Sequence, residues 1–181
     1  MRLLLIGPPG SGKGTQAERL AKIKEIAHIS TGEMFREQME AGTDLGKRVK
    51  DIVESGAYVP DEVTVEMLAE RLAAPDAQPG FILDGFPRTL PQLSALDGLL
   101  GETGLDRVVV LEVDDDLLLG RMLQRGRDDD TEGTIRGRFE LYRDQTAPLI
   151  EIYEQRGLVS TVDGGGTIEE VTDRIVEALG G

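Results

Sequence analysis

At 181 residues the chain can bury one good hydrophobic core but not two large ones. The absence of cysteine excludes a disulfide framework or a thiolate metal site, and the single histidine, His28, disfavours a histidine-based zinc site. Thirty-four acidic residues against 20 basic ones leave a formal net charge of −14, which disfavours a general nucleic-acid surface, and no apolar run approaches membrane-spanning length.

The apolar run Leu3-Leu4-Leu5-Ile6 predicts a buried parallel strand. It leads directly into Gly7-Pro8-Pro9-Gly10-Ser11-Gly12-Lys13-Gly14-Thr15, with a helix predicted over 15–24. Strand, glycine loop and helix in that order make the setting of a phosphate-binding loop. Glycines let successive backbone N–H groups converge on a phosphate, the helix start adds unsatisfied N–H groups, and Lys13 adds a positive point charge. The common pattern has Ser or Thr directly after the lysine, where this chain has Gly14 and then Thr15. Because the apolar run enters the glycine loop so soon, the N-terminus shows no signal-peptide pattern, and a cytoplasmic location is expected.

His28-Ile29-Ser30 predicts a second strand, and Ser30 or Thr31 can cap a helix from Glu33 to about Glu40. Leu45, Val49 and Ile52 mark another helix over 44–55, and Tyr58-Val59-Pro60-Asp61 connects to a helix over 62–73. The unit over 30–59 thus interrupts the core, either as a hinged substrate flap or as a rigid hairpin covering the sheet. Next, Gly80-Phe81-Ile82-Leu83-Asp84-Gly85 reads as a strand ending in a carboxylate. Beside a phosphate loop that carboxylate suits magnesium or its coordinated water; its alternative is an ordinary strand-end turn. Phe86-Pro87-Arg88 projects an arginine from a proline-held loop, and a helix over 89–100 carries Gln92, four residues beyond Arg88.

The β-branched run in 105–113 predicts a central strand. Asp114 to Asp116 suit a helix start, and that helix places Arg121 and Arg125 one turn apart, with Arg127 in the following loop. Fifteen of the 20 basic residues are arginines, and Arg121, Arg125, Arg127, Arg136, Arg138 and Arg143 crowd into one short region. Such a cluster can form a local anion cleft in an acidic protein, or simply a solvated stripe. A long helix is predicted over 134–156, bent at Pro148. Arg136 and Arg138 near its start oppose the dipole, which suggests an anion or an acidic partner among Asp128 to Asp130, with Asp129 and Arg136 as the expected pair. A last strand over 158–162 leads through Asp163-Gly164-Gly165-Gly166, which could line a nucleotide base or serve as a turn, into a helix over 167–179. The expected architecture is α/β, a five-stranded parallel sheet with helices on both faces and two inserted regions.

These segments together resemble the adenylate kinase family of nucleoside monophosphate kinases. The resemblance runs over almost the whole chain and rests on Lys13-Gly14-Thr15, Ile29-Ser30-Thr31-Gly32-Glu33-Met34, Leu83-Asp84-Gly85-Phe86-Pro87-Arg88, and Tyr142-Arg143-Asp144-Gln145-Thr146-Ala147-Pro148-Leu149. It implies a phosphate-loop nucleoside triphosphate hydrolase fold and reversible transfer of the terminal phosphoryl group of ATP to AMP, giving two ADP, with magnesium. By position it implies that Gly10, Ser11, Gly12, Lys13, Gly14 and Thr15 hold donor phosphates and that Arg121, Arg127 and the backbone at Gly166 serve the donor nucleotide. Thr31, Gly32, Arg36, Ala57, Tyr58, Val59, Gly85, Arg88 and Gln92 would surround AMP, with Gln92 at the adenine edge. Lys13, Arg88, Arg121, Arg125, Arg127, Arg136 and Arg138 would carry the chemistry, and Asp84 would act through magnesium-bound water. The implied division is a single kinase domain over 1–181, its core at 1–29, 60–125 and 136–181, an acceptor-binding insertion at 30–59 and a short lid at 126–135. That lid is too short for the structural zinc site of some relatives. ATP, AMP and ADP are the implied partners, with no nucleic acid or membrane, and a monomer is the expected state. The alternatives are a UMP/CMP kinase or a non-catalytic adenine-nucleotide sensor.

Overall fold

The computed structural model describes residues 1–126 and 130–180. Five strands, β1 (Arg2–Ile6), β2 (Ala27–Ser30), β3 (Phe81–Asp84), β4 (Arg107–Glu112) and β5 (Val159–Asp163), form one sheet in the order β2-β3-β1-β4-β5. Every pairing is parallel, so each connection must cross over the sheet, and the helices cover both faces. They are α1 (Lys13–Lys24), α2 (Thr31–Glu40), α3 (Asp44–Glu54), α4 (Asp61–Leu72), α5 (Leu90–Leu100), α6 (Asp115–Arg125), α7 (Glu132–Leu141), α8 (Pro148–Gln155) and α9 (Ile168–Ala178).

The two-residue period of the central strands divides the core between these faces. Leu4 and Ile6 of β1, with Val108 and Val110 of β4, pack against Leu68, Leu93, Leu96, Leu149 and Tyr153 from α4, α5 and α8. Leu3 and Leu5, with Val109 and Leu111, face Ala17, Leu20, Val171 and Ile175 from α1 and α9. Continuous apolar sequence in these strands therefore has a direct cause: both faces are buried.

A third apolar cluster, Phe35, Val49, Val59 and Met67, joins α2 and α3 to α4. The unit expected at 30–59 is thus anchored by a residue beyond its sequence boundary. Hydroxyl caps start its helices: the Ser30 Oγ accepts from Glu33 N at 3.4 Å, and the Thr43 Oγ1 accepts from Gly46 N at 3.0 Å.

The single helix expected over 134–156 is instead two helices separated by a wide turn at Tyr142–Thr146. Ala147 N donates to Tyr142 O at 2.8 Å, spanning five residues. Pro148 occupies the first turn of α8, where its missing N–H costs nothing and its ring escapes the carbonyl that would crowd it inside a continuous helix. The break in regular helix, expected at the proline, therefore begins six residues earlier. Shorter differences have the same local character: α1 begins at Lys13 rather than Thr15, and β4 is confined to Arg107–Glu112.

Gly46 is where α2 and α3 come closest, since a Cβ there would overlap the carbonyl oxygen of Gln38. Gly46→Ala should force the two helices apart and lower stability by about 1–3 kcal/mol. Denaturant unfolding checks this, and a loss below about 0.5 kcal/mol would show that the pair has room to relax.

Candidate active site

The parallel registers bring Leu5 beside Asp84, and Asp84 beside Ser30. The C-terminal ends of β1, β2 and β3 therefore open together on one cavity of about 590 Å³, lined by the glycine loop, Thr31, Arg36, Tyr58, Asp84, Arg88, Gln92, Arg121, Arg125, Arg138 and Gly166 among others. Its position outside the carboxyl ends of the strands is the usual ligand crevice of an open α/β sheet.

Within the loop the glycines divide their tasks. A Cβ on Gly7 would lie 2.8 Å from the Ser11 Oγ, and one on Gly10 would lie 2.9 Å from Leu118 O, so these two permit close packing. Gly12 is different: no neighbour would meet a Cβ there, but its φ of 91° lies in the left-handed region. It is also the N-cap of α1 and supplies no side-chain cap, so the first N–H groups of the helix remain available to an anion.

Lys13 turns back over this loop. Its Nζ donates to Gly7 O at 2.7 Å and Pro8 O at 2.9 Å, and lies 3.4 Å from the Ser11 Oγ. Burial lowers its pKa to about 8, with Asp84 opposing the shift and Arg88 and Arg125 adding to it. Asp84, whose Oδ2 accepts from the Ser30 Oγ at 3.3 Å, lies close to the loop: a Cβ on Gly14 would sit 3.4 Å from that same oxygen. A single carboxylate beside a phosphate loop fits magnesium, which keeps several waters and takes few protein oxygens. Among the described residues no group of three or more His, Cys, Asp or Glu could hold a metal ion.

Arg88 is held from three sides. Its Nε donates to Gly85 O at 2.7 Å, its guanidinium lies 5.0 Å from the centre of the Tyr58 ring, and its own carbonyl accepts from the Thr146 Oγ1 at 2.9 Å. The Tyr58 hydroxyl in turn lies 3.0 Å from that Thr146 oxygen. Burial pushes the Arg88 pKa below its ordinary value, against the opposing effects of Tyr58 and Asp84, so an incoming anion would relieve a desolvated positive charge. Gly85 O also accepts from the Thr31 Oγ1 at 2.9 Å. Thr31, Tyr58 and Arg88 are thereby gathered at one point, with Gly32, Arg36, Ala57 and Val59 lining the same cavity.

Gln92 is buried at 2% exposure. Its Oε1 accepts from Arg88 N at 2.8 Å and its Nε2 donates to the Asp61 Oδ1 at 2.7 Å. Asp61 stood in the sequence only as part of a connector, and its partnership with a residue 31 positions away is a product of folding.

The other arginines do not behave alike. Arg121 donates twice to Gly164 O, both at 3.1 Å. Arg125 makes a two-bond fork on Asp130 at 2.9 and 2.7 Å, and Arg138 Nη1 donates to the same carboxylate at 3.0 Å. Arg136 points elsewhere: it pairs with Glu132 on an exposed face and does not line the cavity. Arg127 and Asp129 lie outside the described residues. Among the described residues the acid that meets these arginines is Asp130, within the expected span of Asp128 to Asp130, and it meets Arg138, one of the two arginines expected to find such a partner, as well as Arg125. Gly164-Gly165-Gly166 is more constrained than a plain turn, because the Arg174 Nη1 donates to Asp163 O at 2.9 Å and Gly165 O at 2.6 Å.

Thr146 and Tyr142 join the cavity lining from the wide turn between α7 and α8. Their placement depends on that turn, which periodicity does not reveal. No helix among the described residues is long and apolar enough to cross a membrane.

A parallel sheet carrying a glycine loop, with a second group of cations facing that loop across one cleft, defines a phosphate-loop protein built to bring two phosphorylated molecules together. The adenylate kinase family model matches residues 5–158. The chain is 55% identical over 185 aligned residues to an adenylate kinase of a Nocardioides species, covering 99% of this chain and 97% of that one. It is 50% identical to an adenylate kinase of Stenotrophomonas maltophilia, with 99% of each covered. An adenylate kinase of Thermobifida fusca is 49% identical, with 99% of this chain and 98% of that one covered. The chain belongs to the adenylate kinase family, whose members move the terminal phosphoryl group of ATP to AMP and back.

Two tests follow from the geometry. In the folded protein Lys13 gives up its proton through about pH 8, whereas the unfolded chain keeps it to about 10.5. Between those values the unfolded state binds more protons, so this group's contribution to stability rises with pH. A bound polyphosphate favours the charged lysine and should reverse the shift; ATP binding near pH 9 is therefore expected to take up a substantial fraction of a proton, roughly 0.5–1 per nucleotide. Calorimetry in buffers of different ionisation enthalpy counts it, and zero uptake would show that Lys13 keeps its proton throughout. At Gly85, with φ of 79°, a Cβ would lie 2.9 Å from the Arg88 Nη2 and 3.2 Å from the Thr31 Oγ1. Gly85→Ala should raise the KM of the acceptor nucleotide about tenfold or more and leave that of ATP nearly unchanged. Equal effects on both would refute a local role.

Proposed function

We propose that this chain performs reversible phosphoryl transfer between ATP and AMP by aligning the two nucleotides and stabilising the charge that moves between them. The observation that carries this reading is one cavity with Lys13 and the glycine loop on one side and Arg88, Arg36 and Thr31 on the other. Loop N–H groups and Lys13 would receive the donor phosphates. Arg88 and Arg36 would grip the AMP phosphate, while Gln92 meets the base and Ala57, Tyr58 and Val59 line its path.

The bond between the γ-phosphorus and its bridging oxygen breaks, and a bond from that phosphorus to an AMP phosphate oxygen forms. That attacking oxygen is largely ionised at neutral pH, so no general base is required. What remains is alignment and electrostatics. Arg121, Arg125 and Arg138 are proposed to exchange their protein acceptors for phosphate oxygens as the transfer proceeds; Arg127, implied in the same role by the family resemblance, lies outside the described residues. Arg136, in α7 just beyond the lid, would join only if the start of that helix moves with the lid, since it pairs with Glu132 in this arrangement. Asp84 would hold magnesium through its coordinated water, and when bound the ion supplies neutralising charge at the donor phosphates. The insertion at 30–59 and the lid at 126–135 would close over the pair and exclude water; the nearness of Gly56 to Thr134 and Arg138 supports this reading.

A coupled assay with magnesium, ATP and each of AMP, UMP, CMP and GMP tests the assignment. AMP should be the preferred acceptor, and preference for a pyrimidine would defeat the reading. Arg88→Ala should lower kcat/KM for AMP by about 10²–10³ with the fold retained. Turnover near the parent level would refute the role of Arg88.

A further inference from the structure

The amide of Gln92 has two donors and two acceptor sites. One acceptor site is taken by Arg88 N and one donor by the Asp61 Oδ1. Neither partner can exchange roles, because a backbone N–H only donates and a carboxylate only accepts. The amide orientation is therefore set by its surroundings. What it can still offer a ligand is one N–H and one oxygen lone pair, each on a known side.

Adenine presents an acceptor at N1 and a donor at N6, and it is complementary to that remaining pair. Hypoxanthine and guanine reverse both groups, with a donor at N1 and an acceptor at O6. Reading them at the same place would require the amide to turn over. The turned amide would set its oxygen against the Asp61 carboxylate and its NH2 group against the Arg88 N–H. Both contacts are repulsive, and with Gln92 only 2% exposed, solvent has little access to replace the lost bonds.

We infer that Asp61 is a specificity-determining positioning residue, which together with the Arg88 main-chain N–H locks the Gln92 amide in the orientation that accepts a 6-amino purine and rejects a 6-oxo purine. The inference rests on the reading that Gln92 meets the acceptor base. Asp61 is itself held rigidly. It is the first residue of α4, follows Pro60, and its Oδ1 also accepts from the Thr89 Oγ1 at 3.0 Å. Thr89 is the N-cap of α5, and its hydroxyl accepts from Gln92 N at 3.3 Å. The main chain and the side chain of Gln92 are thus tied to one cluster, leaving the amide little freedom to swing away. Asp61 also suits a helix start by its charge, but that role would affect the stability of α4 without discriminating between bases.

The test compares kcat/KM for AMP and IMP, with saturating magnesium-ATP, in the parent chain and in Asp61→Asn, Asp61→Ala and Gln92→Ala. Asp61→Asn keeps the shape and can itself turn over to donate to a turned Gln92, so the AMP-to-IMP ratio should fall by about tenfold, the discrimination of one charge-assisted hydrogen bond. The KM of ATP should stay within about twofold, and the melting temperature identifies any variant that is not folded. Should Asp61→Ala unfold, the isosteric Asp61→Asn carries the test. A folded Asp61→Asn that keeps the parent ratio while Gln92→Ala lowers it would overturn the lock and leave the base contact standing. A parent ratio unchanged in Gln92→Ala would instead overturn the base contact itself, and with it the lock.

Discussion

The parallel register of β1 between β3 and β4 is the constraint on which the site depends. It sets Leu5 beside Asp84, and the register of β2 on β3 sets Ser30 beside the same residue, so that the glycine loop, the magnesium-suited carboxylate and the start of α2 emerge at one edge. A slip of one residue would turn Leu3 and Leu5 toward the wrong helices and carry Asp84 away from Gly14. The site is therefore paid for by the same alternating aliphatic packing that holds the sheet between its two helix layers.

An acidic protein that must receive several phosphates needs its positive charge held locally. Each main cation in the cavity rests on an oxygen that a phosphate could replace. Lys13 sits on loop carbonyls, Arg88 on Gly85 O and the face of Tyr58, Arg121 on Gly164 O, and Arg125 and Arg138 on Asp130. These contacts keep the charges oriented without burying them unsatisfied. In the proposed function nucleotide binding would exchange one set of charge-assisted bonds for another, with the cleft ordered before the substrates arrive.

The side of the cavity around Arg88 shows how distant segments are made into one surface. Tyr58 comes from the end of the inserted unit, Arg88 from the loop after β3, and Thr146 from the wide turn before Pro148; the three meet through the Tyr58 hydroxyl and the Thr146 Oγ1. The wide turn explains why Thr146 faces the cleft at all, since a continuous helix would have rotated it differently. Gln92 is oriented in the same manner by Asp61 and Arg88 N, and its chemistry toward a base depends as much on those neighbours as on its own amide.

Much of the architecture was legible because its physical causes are local. Unbroken aliphatic runs marked the strands, hydroxyl residues marked helix starts, and the spelling Gly12-Lys13-Gly14-Thr15 directly after a strand marked the phosphate site. The place of Asp84 and Arg88 at the cavity was readable because they end or follow such a strand. Tertiary structure decided which charges meet. Sequence spacing pointed to Asp128 to Asp130 as partners of Arg136 and Arg138, and the folded chain sets Asp130 between Arg138 and Arg125, an arginine the spacing did not single out for it, while Arg136 pairs with Glu132. It also decided that the long helical pattern divides before Pro148 and that Asp61 reaches Gln92. Hydrophobic periodicity and backbone preference act over a few residues, while a hydrogen bond between residues 31 positions apart exists only after packing has set the directions of both side chains.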